Sequence, residues 1–434
     1  MKQAIFIISL LISSQIQAET IKGKIVHDTT NKPISEATVL SDITSTKTDT
    51  QGIYELESNN YLLKIRASGY ERKDVTFIKN VAIGLKKKNI RALYVSYWAL
   101  AAPKYMREID NIIEQSDINA LVVDIKNEQG YLAFKGNVEL ANKIGTYKRR
   151  VIRDVEKFIS YYKEKNVYLI ARMSLFKDNL LPKKQTSLAV KLGRGQVYIN
   201  KEGMTWSDPY SEIVQSYNVE LAKEVANVGF DEINFDYIRF PARSGLIFSK
   251  QNNHINRQNA IEEFLKKARL ALNEHNVFLS VDTFGHICWN YKETQIGQNM
   301  KTMAKYVDYI SPMLYPSGFA PGVGGIENPV NKPYEIVYKS LIKANEKTGI
   351  KHAQFRPWLQ AFRDYSYSRK HFKTEEIQAQ IGAANDAKSS GWMLWHAASR
   401  YSLDTLNLIP HKEVKGVATN DIPFLQSKNH YCEL

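Results

Sequence analysis

The stretch FDEINFDYIRFP (residues 230–241) sets three acids, an asparagine and an arginine into what otherwise reads as a buried strand. A buried carboxylate costs several kcal/mol unless it is paired, so each of these groups needs a reason. Side chains alternate faces along a strand with period two. In this run Ile233 and Phe235 oppose Glu232, Asn234 and Asp236. Three other runs repeat the pattern. Leu121, Val123 and Ile125 oppose Ala120, Val122, Asp124 and Lys126; Leu169 and Ala171 oppose Tyr168, Ile170, Arg172 and Ser174; Leu279 and Val281 oppose Ser280, Asp282 and Phe284. Parity therefore predicts that Asp124, Arg172, Asp236 and Asp282 converge at the carboxyl ends of neighbouring strands, where barrel enzymes build their sites. Glu232 and Asn234 lie deeper on the same face and are expected to form a buried polar network.

Aromatic residues add a substrate class. Trp98, Tyr237, Phe284, Tyr315, Trp358 and Trp395 stand at or near strand ends. Aromatic faces stack on the apolar faces of sugar rings, while carboxylates and Gln360 suit hydroxyl groups. Arg239 either pairs with a neighbouring carboxylate or binds substrate. Acids and aromatics in one cleft favour glycoside chemistry. The competing motifs are weak. GRGQV (193–197) lacks the Lys-Ser/Thr of a P-loop, no HxH or HExxH supports a zinc site, and no Gly-x-Ser-x-Gly elbow is present. No metal and no cofactor are implied. His286 and His396 are expected to be structural.

The elements that position these groups begin after Lys88. Apolar runs alternate with long amphipathic stretches, as in βα units. Eight strands are expected, in RALYVSYW, INALVVDIK, NVYLIARMS, DEINFDYIRF, VFLSVDTFG, VDYISPMLY, FRPWLQAF and GWMLWHAA. Eight units in this length predict a TIM barrel over residues 89–410 with enlarged loops at 176–206 and 242–259. In WSDPYSE, Asp208 is expected to cap a helix with Pro209 at its first position.

Residues 19–88 read differently, as short β-type runs separated by turn signals, a small sandwich. Ahead of them, Lys2, the apolar run 5–12 and Ile16-Gln17-Ala18 read as a cleavable export signal, which predicts a periplasmic or secreted protein with no membrane-spanning segment after cleavage. Residues 411–434 are assigned as a tail. The two cysteines, Cys288 and Cys432, either form one bridge or stay as thiols. The net charge of +14 suits an anionic surface or an acidic polysaccharide, and export makes nucleic acid the least suited partner.

Two resemblances accompany this reading. GKIVHDTTNKPISEATVLSDITSTKTDTQGIYELESNNYLLKIRASGY resembles the carboxypeptidase regulatory-like, transthyretin-type sandwich domain, whose corresponding positions are structural. ALVVDIKNEQGYLAF, YLIARMSLFKDNLL, WSDPYSEIVQSYNVELAKEVANVGFDEINFDYIRFP and YISPMLYPSGF resemble a bacterial family of glycoside hydrolases related to the α-amylase-type (β/α)8 enzymes. That resemblance implies a carbohydrate substrate, a nucleophile at Asp236 and an acid/base at Asp282, where amylases have glutamate. A retaining hydrolase of a polysaccharide is then expected, with Asp124, Lys126 and Arg172 orienting sugar or keeping Asp236 ionised. The alternative is a carbohydrate-binding barrel without catalysis.

Overall fold

The computed structural model describes residues 19–42, 44–290 and 295–406. The export signal, the tail and Cys432 lie outside the described residues. Cys288 is a buried free thiol. The chain divides into two compact units, Met1–Lys87 and Lys88–Leu434.

The first unit is all β. One sheet orders Ile53–Ser58, Glu19–His27 and Ile83–Leu85; the other orders Thr44–Lys47, Thr38–Ser41, Leu62–Arg66 and Lys73–Thr76. Alternation does the sorting. Along Ile53–Ser58 every second residue is buried, and Tyr54 and Leu56 join Ile21, Ile25, Val39, Leu63, Ile65 and Leu85 in one core. Gly23 faces Tyr54 across the sheet, and a Cβ there would collide with the tyrosine ring. That close approach is why a glycine opens the GKIV run.

The second unit is a closed parallel barrel of eight strands. These are β1 (Ile90–Val95), β2 (Ala120–Lys126), β3 (Tyr168–Ser174), β4 (Glu232–Asp236), β5 (Phe278–Phe284), β6 (Tyr309–Met313), β7 (Trp358–Gln360) and β8 (Gly391–Trp395). All eight predicted runs form strands. β7 is the shortest: Phe355 makes a bridge to Ile310, but Pro357 has no N–H to continue the ladder. The outer set of each strand (Leu121, Val123, Leu169, Ala171, Ile233, Phe235, Leu279 and Val281 among them) packs in one core with helix residues such as Leu221 and Phe264. The inner set, with Ala92, Tyr94, Val122, Ile170, Phe278, Tyr309, Trp358 and Met393, fills the barrel.

The expected polar network lies in that interior. Arg356 donates to both oxygens of Glu232 at 2.9 and 2.7 Å, Tyr168 donates to Glu232 at 3.0 Å, and the guanidinium lies 3.7 Å from the Tyr309 ring centre. Both ions are wholly buried, so neither can be left alone cheaply. Arg356→Met is expected to lower unfolding free energy by ~3–5 kcal/mol, read from urea unfolding, because Glu232 is left buried without its ionic partner.

The two enlarged loops meet. Lys191–Leu192 from the loop after β3 pairs antiparallel with Leu246–Ile247 from the loop after β4. Asp208 belongs to this junction and does not cap the helix. Its Oδ1 accepts from the Tyr210 N–H and its Oδ2 from the Ser249 N–H at 2.6 Å, while Ser211 caps the helix Glu212–Asn227. The helix starts three residues later than expected because the Asp208 carboxylate is committed to tying the two loops together.

Candidate active site

Four neighbouring strands deliver the predicted acids and arginine to one place. β3 pairs with β2 and β4 so that Arg172 lies opposite both Asp124 and Asn234, with Asp236 two residues further along β4. The guanidinium then spans its neighbours. Nη1 donates to Asp124 Oδ1 at 2.6 Å, Nε and Nη2 both donate to Asp236 Oδ2 at 3.0 and 2.6 Å, and Nη2 also donates to Glu128 at 2.6 Å. The ring faces of Tyr94 and Trp395 lie 5.7 and 5.2 Å from the guanidinium carbon. Those two rings stack on each other at 3.9 Å.

Burial and the arginine charge balance differently at two of these carboxylates, Asp124 and Glu128. Burial pushes the Asp124 carboxyl up to about 6 despite the opposing charge of Arg172. Burial also acts to raise Glu128, but there the Arg172 charge and hydrogen bond outweigh it and the pKa falls. Arg172 itself loses to burial and gains more from Glu128, Asp236 and Asp124, so its pKa rises further and it stays charged.

Asp282 sits in a different environment. It is 2% exposed, and its Oδ1 accepts from Asn234 Nδ2 at 2.9 Å and Trp358 Nε1 at 2.7 Å. Burial, followed by the charge of Asp236, drives its pKa well above the carboxylate range; the two donors oppose this without reversing it. Oδ2 has no protein donor among the described residues. The site thus gathers Asp124, Asp236 and Glu128 around one arginine and, on the strand next to that of Asp236, holds Asp282 with its pKa raised.

Several predicted positions fall elsewhere. Lys126 was expected to face the cleft with Asp124. A bulge breaks the parity: Asp124 pairs with Arg172, but Lys126 pairs with the next residue, Met173, so Ile125 is the extra residue and Lys126 turns to the helical layer. There its ammonium meets Asp178 at 2.9 Å, the Ser174 carbonyl at 2.7 Å and the Tyr217 ring. Gln360 is also no hydroxyl ligand. It is fully buried, donates to Ser317 Oγ at 2.7 Å and the Phe362 carbonyl at 3.1 Å, and accepts from the Ser317 N–H. Trp358 is 1% exposed and offers no face to a sugar; its indole N–H orients Asp282 instead. Asp124 is buried and acts through Arg172. Tyr237, Phe284, Tyr315 and Trp395 are half-buried, whereas Trp98 stands 57% exposed on the short helix after β1. His286 and His396 bond to backbone groups of nearby segments.

Sequence reasoning missed Glu128 and Tyr94. Glu128 lies two residues past β2, where strand parity no longer applies. Tyr94 has inward parity in β1, and its hydroxyl donates to Asp124 at 3.2 Å, so the same counting could have found it. Asn234 was placed in a deep network but belongs to the site, because it holds Asp282.

A closed (β/α)8 barrel with acids gathered at the carboxyl ends of its strands is an architecture that glycoside hydrolases share with many other barrel enzymes. Residues 92–401 match the family described as "putative glycosyl hydrolase domain", and the chain belongs to that family. Solved structures similar to it include the glycoside hydrolase domain of PgaB (BpsB) from Bordetella bronchiseptica, 11% identical with a TM-score of 0.50, over 74% of this chain and 99% of that one. A class V chitinase from Pseudomonas fluorescens is 12% identical, TM-score 0.45, over 73% and 98% of the two chains. A hypothetical protein from Ruminiclostridium thermocellum is 35% identical, TM-score 0.39, over 44% and 96%. At 11% identity the likeness to PgaB concerns the fold alone. No curated protein matches the sequence.

Proposed function

We propose that the barrel hydrolyses glycosidic bonds of a polysaccharide with Asp236 as nucleophile and Asp282 as acid/base. The observation that carries this is the contrast between adjacent strand ends: Asp236 is held by two N–H donors of Arg172, while burial and the Asp236 charge favour the protonated form of Asp282. Two carboxyl groups in such different environments suit the divided labour of a retaining glycosidase. Asp236 attacks the anomeric carbon as the bond to the leaving oxygen breaks, and Asp282 gives that oxygen its proton. In the second half, Asp282 takes a proton from water, the water oxygen bonds the anomeric carbon and the ester to Asp236 breaks. Tyr315 and Trp395 form a half-buried aromatic edge for the sugar.

A polysaccharide panel tests the reading: new reducing ends must appear with at least one polymer, whereas a barrel that only binds would retain glycan and release none. Export belongs to the same proposal, and N-terminal sequencing of the mature chain checks it.

The pH profile follows from Asp282. With natural leaving groups, kcat/KM is expected to fall as pH rises through its raised pKa, because the proton donor is lost. The linkage has a matching sign. A carboxyl whose folded pKa is raised stabilises the fold fully below its unfolded value and loses that contribution as pH rises through the folded one. Asp282→Asn should therefore gain melting temperature relative to wild type as pH increases; a difference that shrank with pH would contradict the protonated assignment.

A further inference from the structure

Among the described residues Arg239, at the edge of the site, makes no ion pair with a carboxylate, although the charges of Asp236 and Glu202 act on it from further away. It follows Asp236 by three residues, and its guanidinium carbon lies 4.7 Å from the Trp206 ring centre, 5.2 Å from Tyr237 and 4.8 Å from Phe284. Tyr237 adjoins Asp236, and Phe284 is two residues beyond Asp282, so the charge stands between the strand ends that carry both acids. Nη1 donates to the Phe240 carbonyl at 3.1 Å. Among the described residues no acid pairs with it, and Nε and Nη2 have no acceptor. The neighbouring cation is treated differently. Lys177, whose ammonium lies 4.6 Å from the Tyr237 ring centre, is paired with Glu202 and hydrogen-bonds the Tyr237 hydroxyl at 3.2 Å. Tyr237 holds this position in a left-handed backbone conformation, φ 49°, which a bulky side chain adopts only when its surroundings require it.

A planar fork with free donors, walled by aromatic rings and partly withdrawn from water, is matched by a planar anion accepting two parallel hydrogen bonds. Withdrawal from water strengthens such a bond and makes the empty state the less favourable one. We propose that Arg239 reads a sugar carboxylate, so that the polysaccharide carries an acidic, uronate-type unit in the subsite beside the scissile bond. This rests on the glycosidase reading for the position of that bond, but binding alone can test it. The net charge of +14 is of the sign that attracts such a polymer.

The test uses the full chain carrying Asp236→Asn, to prevent turnover, with and without Arg239→Gln or Arg239→Lys. Titration calorimetry compares oligosaccharides from polygalacturonate, alginate and hyaluronan with the same oligosaccharides after chemical reduction of their carboxyl groups, and with a sulfated neutral glycan. At least one acidic series should bind ~10-fold or more tighter than its reduced form, since one charge-assisted pair contributes about that factor. Arg239→Gln should erase the difference while leaving affinity for the reduced form unchanged, and Arg239→Lys should keep only a small part of it. Equal binding of acidic and reduced forms, equal losses on both from Arg239→Gln, or preference for the sulfated glycan would overturn the carboxylate assignment. Carboxylate-dependent binding with no turnover by the wild type would sink the hydrolase reading and spare this one. Turnover of neutral polymers alone would do the reverse.

Discussion

Asp236→Asn is expected to abolish turnover of the natural polymer while leaving glycan binding largely intact. The amide has the shape of the carboxylate and can still accept from Arg172 Nη2, so the clamp that links β2, β3 and β4 keeps its geometry. It cannot form the ester, and the expected fall in kcat is at least ~10³-fold, equivalent to roughly 4 kcal/mol of transition-state stabilisation. Initial-rate measurement with a calorimetric binding control separates the two effects. Wild-type rates in this variant would remove Asp236 as nucleophile. The products carry a second check. Adjacent strands stand about 4.8 Å apart, which suits the ~5–5.5 Å carboxyl separation of retaining enzymes better than the ~6.5–9.5 Å that inversion requires. Proton NMR of the first-formed sugar should show retained anomeric configuration, and inversion would end the covalent mechanism even with both acids essential.

Asp282→Ala should slow substrates with poor leaving groups by ~10²–10⁴-fold, the usual contribution of a positioned proton donor. Aryl glycosides with acidic phenols need little protonation, so their first step should be nearly spared, and the ratio of the two losses is the diagnostic quantity. Alanine also leaves Trp358 Nε1 without its acceptor, which costs about 1–3 kcal/mol for a buried donor, and leaves Asn234 Nδ2 with Ser280 Oγ alone. Asp282→Asn keeps an acceptor for both donors and cannot give a proton. The two variants should therefore share the leaving-group dependence and differ in melting temperature. If alanine slowed both substrate types equally, Asp282 would be a support for the site and Glu128, whose carboxylate reaches the same arginine, would be the next acid to vary.

How much of this was present in the chain itself differs between the two levels of structure. The alternation of Leu121, Val123 and Ile125 with Val122 and Asp124, repeated in three further strands and separated by amphipathic helices, determined the barrel and the end at which its polar groups gather. Period two and βα succession are local patterns, carried by which residues neighbour one another in sequence. The sequence by itself therefore determined the family, the two-unit plan and the meeting of Asp124, Arg172, Asp236 and Asp282. It did not determine what each side chain does there. One bulged residue, Ile125, turned Lys126 out to Asp178, because a one-residue change of register exchanges the faces of a strand. Trp358 became a hydrogen-bond donor to Asp282, Gln360 a tie to Ser317, and Glu128 a third partner of Arg172 through contacts spanning 76, 43 and 44 residues. Only the tertiary structure decided those pairings, because hydrogen-bond partners and burial depend on which distant segments arrive beside a residue, and no period in the chain encodes that.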